Sequence, residues 1–306
     1  MRRRVRSVLR LMGALLLSLP LLTCALHVTH SGGADIPDRP DGALRVASHN
    51  VHYILLRQET GDWSVTDWHR RKGALDAAFK AIDADIVAFQ EMESFAGGSV
   101  SPRNLALDFL LAQNPGYGAA AQGDPRRFPS TQPIFYRKAA LRPVDQGWFF
   151  FSDTPGVLYS RTFNGSYPAF ASWAAFETRS DGRRFTVFNV HYEYKSRSNR
   201  LKSAALTARR MAPRIEAGQT VFLVGDLNAR PGADTLSILE RTGLRFAPLD
   251  GATYHLNRGL NLFAAIDHLA ATPDAALVGA PVIVQRRFAG EWPSDHYPVF
   301  ADYVLR

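Results

Sequence analysis

Seven short runs of the chain are rich in Val, Ile, Phe or Tyr, and most are bounded by turn formers: Leu44–Asn50, Ile86–Gln90, Gln132–Arg137, Phe185–His191, Val221–Gly225, Ile266–Ala270 and Tyr297–Val304. Runs this short and this β-prone predict strands. Between them lie patterns with a different period. In Asp67–Ile82, the residues Leu75, Ala78, Phe79 and Ile82 recur at helical spacing and line one face. Leu201, Ala204, Ala208, Met211 and Ile215 do the same within Asn199–Glu216, and Asn104–Gln113 is a third candidate helix. No repeat of fixed period and no low-complexity tract interrupts the alternation. Strands interspersed with helices over most of the chain predict one mixed α/β domain. It is expected to begin near Leu44 and to occupy residues 44–306.

What precedes Leu44 is of another kind. The formal net charge of the 306 residues is +8, which invites a nucleic-acid reading. Arg2, Arg3, Arg4, Arg6 and Arg10 supply five of those charges within ten residues that hold no acid, leaving +3 for the rest. A footprint for DNA belongs on the folded domain, so the charge is poor evidence for a DNA substrate. The basic start leads into Leu11–Leu26, a run without charge, and this is the pattern of an export signal. With His27 and Val28 added it approaches the length that spans a bilayer. Residues 1–30 are therefore expected to be a signal peptide or a membrane anchor, and the Gly-, Pro- and Asp-rich residues 31–43 a linker. The expected location is exported: periplasmic or secreted, or anchored to the membrane by this segment. The sole cysteine, Cys24, lies within it, so the domain has no disulfide and no thiolate metal site.

The polar residues of interest share an address at strand ends. Asn50 closes the first run, Glu91 follows the second, and His191 closes another. Asp226 and Asn228 follow Val221–Gly225, Asp267 adjoins Ile266, and Asp295-His296 precedes the last strand. Strands that deliver such groups to one rim build a polar pocket. Asn50, Glu91 and Asp295 are hard oxygen donors suited to Mg²⁺, Mn²⁺ or Ca²⁺. Two histidines beside carboxylates suit proton transfer near neutral pH. A metal with a base and charge-stabilising donors is what attack of water on a phosphoester requires. Each piece has a plain alternative. Asp226-Leu227-Asn228 reads equally as an Asx-rich turn, Glu91 as a helix cap, and His191 as a core histidine. Coincidence of all of them is the weaker explanation.

These strings resemble the endonuclease/exonuclease/phosphatase (DNase I-like) superfamily across residues 44–304. The resemblance rests on Ser48-His49-Asn50, Phe89-Gln90-Glu91, Asn189-Val190-His191, Gly225-Asp226-Leu227-Asn228, Ile266-Asp267-His268 and Ser294-Asp295-His296-Tyr297-Pro298-Val299, in that order. It implies a four-layered α/β sandwich, two packed mixed β-sheets flanked by helices. It implies Glu91 as the main metal ligand, with Asn50 and Asp295 completing the metal region, and Mg²⁺ (or Mn²⁺ or Ca²⁺) as cofactor. His296 would be the general base, oriented by Asp267. Asp226 and Asn228 would hold the phosphate and position the nucleophile. His191 would bind a phosphate oxygen and act as an acid.

Asn-Val-His around His191 resembles DNases, sphingomyelinases and phosphatases rather than abasic-site endonucleases. The stretch from Gln146 to Pro155, with Trp173 beyond, resembles an uncharacterised bacterial exported subgroup. Two departures stand out. Where the family often places an acid before Pro133, to pair with the first catalytic histidine, this chain has Pro129-Ser130-Thr131-Gln132. Where the subgroup often has an arginine before the later Trp, it has Ala169-Phe170-Ala171, with Arg161 a candidate substitute. Tyr192, Glu193, Tyr194, Lys195 and Arg197, with Tyr254, Asn257, Arg258 and Asn261, read either as substrate contacts or as loop surface. The expected activity is metal-dependent hydrolysis of a phosphodiester or phosphomonoester, with the substrate open between a lipid or small phosphoester and nucleic acid. The chain is read as a monomer with possible membrane association through its N-terminus. The rival reading is a catalytically silent exported binding protein that keeps the fold; retention of both metal donors and base speaks against it. A structural domain holding Ca²⁺ would leave the two histidines without a purpose.

Overall fold

The computed structural model describes residues 20–33, 35–95, 103–129 and 131–306. Arg2–Arg10, the apolar run as far as residue 19, and Ser130 lie outside the described residues. In chain order the strands are β1 (Leu44–Asn50), β2 (Ile54–Leu55), β3 (Ile86–Gln90), β4 (Ser94–Phe95), β5 (Tyr117–Ala120), β6 (Ile134–Arg137), β7 (Leu141–Phe150), β8 (Phe170–Thr178), β9 (Arg184–His191), β10 (Thr220–Asp226), β11 (Arg245–Phe246), β12 (Asp267–Ala271), β13 (Ala275–Ile283) and β14 (Val299–Leu305). The helices are α1 (Val65–Ile82), α2 (Leu105–Gln113), α3 (Arg197–Glu216) and α4 (Asp234–Glu240). Residues 20–29 form a further short helix ahead of the domain. No helix among the described residues is long and apolar enough to cross a membrane.

Two six-stranded mixed sheets face each other, ordered β13-β14-β1-β3-β6-β5 and β11-β12-β10-β9-β8-β7, and β2 pairs with β4 separately. Alternation along the central strands explains the layering. Val46 of β1, and Ile86 and Ala88 of β3, point into the space between the sheets, where they meet Phe222 and Val224 of β10. Their neighbours Ala47, Val87 and Phe89 point outward, onto Leu75, Phe79 and Ile82 of α1. On the far side Val221 and Leu223 face Leu206 and Met211 of α3. A strand buried on both faces reads as a continuous apolar run, which is why these strands were visible in the sequence. The result is the four-layered sandwich. The helices begin where short polar side chains accept their free amides. Ser64 accepts from Asp67 N at 3.0 Å, Asn104 from Leu107 N at 3.1 Å and Ser196 from Asn199 N at 3.2 Å.

All seven expected strands are present with ends within two residues, and so are the three helices. The long edge strands β7 and β13 and the mostly buried strand β8 were not foreseen. Few residues of either edge strand are buried, Pro143 and Pro281 interrupt them, and a shift of register disturbs each pairing. An edge strand facing water has no reason to alternate in hydropathy.

Candidate active site

The strand order brings the polar residues to one end of the sandwich. β1 and β3 run parallel, with Asn50 opposite Gln90, so Asn50 and Glu91 leave the first sheet together. β9 and β10 also run parallel, with Asp226 opposite His191, while antiparallel β12 begins with Asp267 opposite Asp226. Asp295 and His296 arrive just before β14, which pairs with β1. Carboxyl ends of parallel strands and the openings of antiparallel ones thus meet over the gap between the sheets.

Within that rim, His296 Nδ1 lies 2.9 Å from Asp267 Oδ2. The other ring nitrogen, Nε2, lies 3.9 Å from Asp226 Oδ2. Asn50 bridges the two sheets, its Nδ2 donating to Glu91 Oε1 at 3.1 Å and to Asp226 Oδ2 at 3.2 Å. His191 Nε2 lies 3.6 Å from Asp226 Oδ2 and 3.9 Å from Glu91 Oε1. Asn228 is held by two contacts: its amide N donates to Asp226 Oδ1 at 2.8 Å and its Nδ2 to the Tyr192 carbonyl at 2.9 Å. Asp295 takes a hydrogen bond from Ser294 Oγ at 3.2 Å, and the same hydroxyl reaches the Asn50 carbonyl at 2.7 Å. All eight residues singled out in the sequence therefore share this end of the fold.

Backbone strain marks the same place. Glu91 and Asn228 hold left-handed φ values of 54° and 47°. Such values are costly for residues with a side chain and persist where surrounding structure imposes them. Gly225, φ 136°, explains the glycine of the Gly-Asp-x-Asn string, because a Cβ there would meet the Val190 carbonyl oxygen at 2.0 Å. β10 passes so close to β9 at this point that only glycine fits.

The electrostatics are those of a carboxylate cluster with too little positive charge. Burial, then repulsion from Asp267, raises Asp226 to about 6. Burial, then Asp295, raises Glu91. Burial would also raise Asp267, but the charge of His296 and its hydrogen bond outweigh it and hold Asp267 low. Burial opposes a charged His296, yet Asp267, Asp226 and Asp295 together carry it well above the ordinary histidine value. His191 behaves oppositely: burial lowers it, and Asp226 restores only part. One buried oxygen, Asp267 Oδ1, has no hydrogen-bond partner. Ligand atoms of Asp226, Asp267 and His296 lie within 4.8 Å of one another. Oxygen donors that are desolvated, mutually repelling and partly unpartnered fit a hard divalent cation. Glu91, Asn50 and Asp226 make one contiguous donor set; Asp226, Asp267 and His296 make an overlapping one.

The two departures find structural answers. Gln132 does not approach His191. Its Nε2 donates to the carbonyls of Phe170 and Asn189 at 3.1 and 3.2 Å, bracing the strand that carries His191. Arg161 is exposed in the segment between β7 and β8. Of the rim candidates, Tyr254 lies at the site, its ring 5.0 Å from that of His296. The others are mostly engaged elsewhere. Tyr192 is buried with its hydroxyl on Thr207, Glu193 accepts from Ser166 and the Lys195 amide, and Arg197 pairs with Asp234.

Four further side chains belong to the site without having stood out in the sequence. Arg71 of α1 is buried, and its guanidinium donates to the carbonyls of Val51 at 2.7 Å, His52 at 2.6 Å and Pro293 at 3.1 Å. It thereby clamps the segments that follow Asn50 and precede Asp295. Asp67, four residues earlier, holds it at 3.1 Å, and that spacing was its one sequence signal. Tyr167 packs its ring 5.6 Å from His191. Tyr53 and Trp63 stack at 6.0 Å beside Glu91, whose Oε2 is 3.4 Å from the Tyr53 amide. Tyr167, Tyr53 and Trp63 sit in irregular segments, where no period exposes a role.

A family model for the endonuclease/exonuclease/phosphatase family matches residues 47–296. The chain belongs to this family. Solved structures agree on the fold. An endonuclease/exonuclease/phosphatase family protein from Bacteroides thetaiotaomicron superimposes with a TM-score of 0.71 at 22% identity, covering 88% of this chain and 100% of that one. A mannosyl-6-phosphatase of the same organism gives 0.70 at 23% identity, covering 86% and 100%. TDP2 of D. rerio, complexed with a single-strand DNA product, gives 0.59 at 15% identity, covering 86% and 99%. No curated protein matches the sequence. The family's name joins nucleases and phosphatases, and this member is accordingly a hydrolase of the phosphoesterase or nuclease type.

Proposed function

We propose that this protein is an exported, divalent-metal-dependent phosphoesterase in which His296 activates the attacking water. The observation that carries this reading is the His296–Asp267 pair, buried beside Asp226, Asn50 and Glu91 at the junction of two sheets. Asp267 accepts the Nδ1 proton of His296 and leaves Nε2 aimed toward Asp226, where it can take a proton from water. Glu91, Asn50 and Asp226, with Asp295 nearby, are the groups that would hold the cation. When bound, the cation supplies charge neutralisation for the phosphoryl oxygens. Asn228 and His191 flank Asp226 and would orient the phosphate, with His191 placed to protonate the leaving oxygen.

The cations around the rim favour a small or lipid phosphoester over nucleic acid. Arg197 is paired with Asp234, Arg200 donates to the Glu193 and Tyr194 carbonyls at 2.9 Å, and Arg71 is internal. Beside His191 this leaves the exposed Lys195, which lies over the Tyr194 ring, a small positive surface for tracking a polyphosphate backbone. The aromatic faces of Tyr53, Trp63 and Tyr254 suit an organic leaving group instead. The mannosyl-6-phosphatase, similar in fold, is by name a phosphatase acting on a mannosyl 6-phosphate group.

The test is hydrolysis of bis-p-nitrophenyl phosphate and p-nitrophenyl phosphate by the full chain in detergent. Mg²⁺, Mn²⁺, Ca²⁺ and EDTA are compared, beside Glu91→Ala and His296→Ala. Metal-dependent turnover lost in both variants supports the reading, and the preferred ester separates diester from monoester chemistry. Silence with every metal, and then with plasmid DNA and sphingomyelin liposomes, turns the conclusion to a binding protein that keeps the fold.

A further inference from the structure

Residues 27–32 are joined to the catalytic domain in a way that neither a discarded signal nor a loose linker requires. Asn261 N donates to His27 Nδ1 at 3.0 Å, and Asn261 Nδ2 to Ser31 Oγ at 2.9 Å. The His30 carbonyl accepts from Ala252 N and from Gln285 Nε2, both at 2.9 Å. Gly32 N returns a hydrogen bond to Gln285 Oε1 at 2.6 Å. The domain is shaped to receive this segment: at Gly251, φ 122°, an added Cβ would lie 3.1 Å from the His30 carbonyl oxygen. The side chains of Gln285 and Asn261 thus tie residues more than two hundred positions away to the domain, which Gln285 Nε2 also holds through the Ala252 carbonyl at 2.9 Å and Asn261 Oδ1 through the Tyr297 hydroxyl at 3.2 Å. Removing those residues would strip Ala252 N and Asn261 N of these acceptors and take two of the hydrogen bonds of the Gln285 side chain.

The same domain segment carries part of the site. Tyr254 and His255 lie between Ala252 and Asn261. The Tyr254 ring stands 5.0 Å from His296, and His255 N donates to the Asp295 carbonyl at 2.9 Å. Just beyond Asn261, the half-exposed Phe263 carries the Arg230 guanidinium 5.1 Å from its ring centre. On the other side of the seat, the helix over residues 20–29 shows Leu21, Leu22 and Val28 to solvent, at 70%, 57% and 68% exposure. These belong to the uncharged run that starts at Leu11 behind five arginines. Five arginines precede this run within ten residues, and Arg39 is the first cation after it; such a bias orients an apolar segment with its basic side in the cytoplasm.

We propose that the N-terminal apolar segment is kept after export, and that residues 27–32 seat it on the domain so that the 252–263 segment, with the site mouth behind it, is held at a lipid bilayer. The exposed leucines and valine enter the bilayer, and Phe263 with Arg230 meets its headgroup layer, where rings and cations with apolar stems settle. This placement brings the site to phosphoesters presented at a membrane surface. The seat itself does not rest on the phosphoesterase reading.

The experiment uses the full chain with a C-terminal tag, expressed in a bacterial host and recovered from washed membranes and from the soluble fraction. Intact mass gives the mature N-terminus. The expected chain begins before His27 and stays with the membrane through a high-salt wash. A mature chain that has lost His27 overturns the proposal, wherever it sediments. Hydrogen exchange on the detergent-solubilised chain reads the seat directly. The Gly32 amide should be protected, and Gln285→Leu should speed its exchange on the order of tenfold while β1 and β10 stay protected. Exchange at Gly32 as fast as in an unstructured peptide, in the unaltered chain, also overturns it. Neither measurement depends on turnover, so a failure of the proposed chemistry and a failure of the seat are separately visible.

Discussion

His296 Nδ1 and Asp267 Oδ2 stand 2.9 Å apart, and through this contact the approach to β14 of one sheet is tied to the start of β12 of the other. The pair is buried, so the charge on Asp267 acts on His296 with little screening. In its proposed role as general base His296 must be deprotonated to work, so the rate should climb with pH as it loses its proton. Asp267 raises the pKa of His296. Asp267→Asn removes that charge, and the acid limb of the kcat/KM profile should move to lower pH. The ring also loses the partner that fixes its tautomer, so the plateau should fall by about 10²–10⁴-fold. A fall with the limb unmoved would mean that another group controls it.

Glu91 gives a prediction with opposite signs in two states. Without a cation, its carboxylate is desolvated and repelled by Asp295. Glu91→Gln should therefore leave the metal-free protein equally stable or stabilise it by about 1 kcal/mol. The same change removes a proposed cation ligand, so the rise in Tm on adding Mn²⁺ or Mg²⁺ should shrink or vanish. Thermal melts with EDTA and with each metal check both halves. A Glu91→Gln protein that still gains full stability from metal would place the ion elsewhere.

The fold could be read where burial on both faces left nearly continuous apolar strands, as in β3 and β10, and the site where strands ended in polar residues. The order of Asn50, Glu91, His191, Asp226, Asp267 and His296 carried the family because each follows or opens a strand that the core requires. What stayed hidden had no pattern to betray it. Tyr167 and Trp63 act from irregular segments. Gln132 looked like a missing acid but turns its amide to the Phe170 and Asn189 carbonyls. Arg71 stands among buried residues of a helix, where a cation looks misplaced until its three carbonyl acceptors are seen. The linker expected over residues 31–43 gave no hint of the Gln285 and Asn261 contacts, because a hydrogen bond across more than two hundred residues leaves no local trace.

Gly225 is a point where packing sets the site. Gly225→Ala would drive a methyl group into the Val190 carbonyl, in a backbone conformation that disfavours side chains. The strands must separate or the peptide must turn, at a cost of about 3 kcal/mol or more. Denaturant unfolding should show that loss. In the folded fraction, kcat should fall as Asp226 moves away from Asn50, while the far-ultraviolet spectrum is unchanged.

His255 links the site's outer loop to acid stability. It is buried, stacked 4.1 Å from the Tyr297 ring, and its Nδ1 accepts from Gly259 N at 3.2 Å. Burial is the main reason its pKa falls to about 4, against an ordinary 6.5. Between those two values the unfolded chain binds a proton that the native state refuses. Stability therefore rises with pH across this window, and it is lost as pH falls from 6.5 toward 4. The steepest contribution of one such group is about 1.4 kcal/mol per pH unit. His255→Phe keeps a ring against Tyr297 and removes the titration. It should cost about 1 kcal/mol at neutral pH, because Gly259 N loses its acceptor. Below pH 6.5 the variant's stability should decline less steeply, and the two curves should converge or cross. Urea unfolding of both proteins at half-unit intervals from pH 4 to 7 reads the difference. Parallel curves throughout would mean that His255 is already protonated in the native loop, with an acceptor for both ring nitrogens.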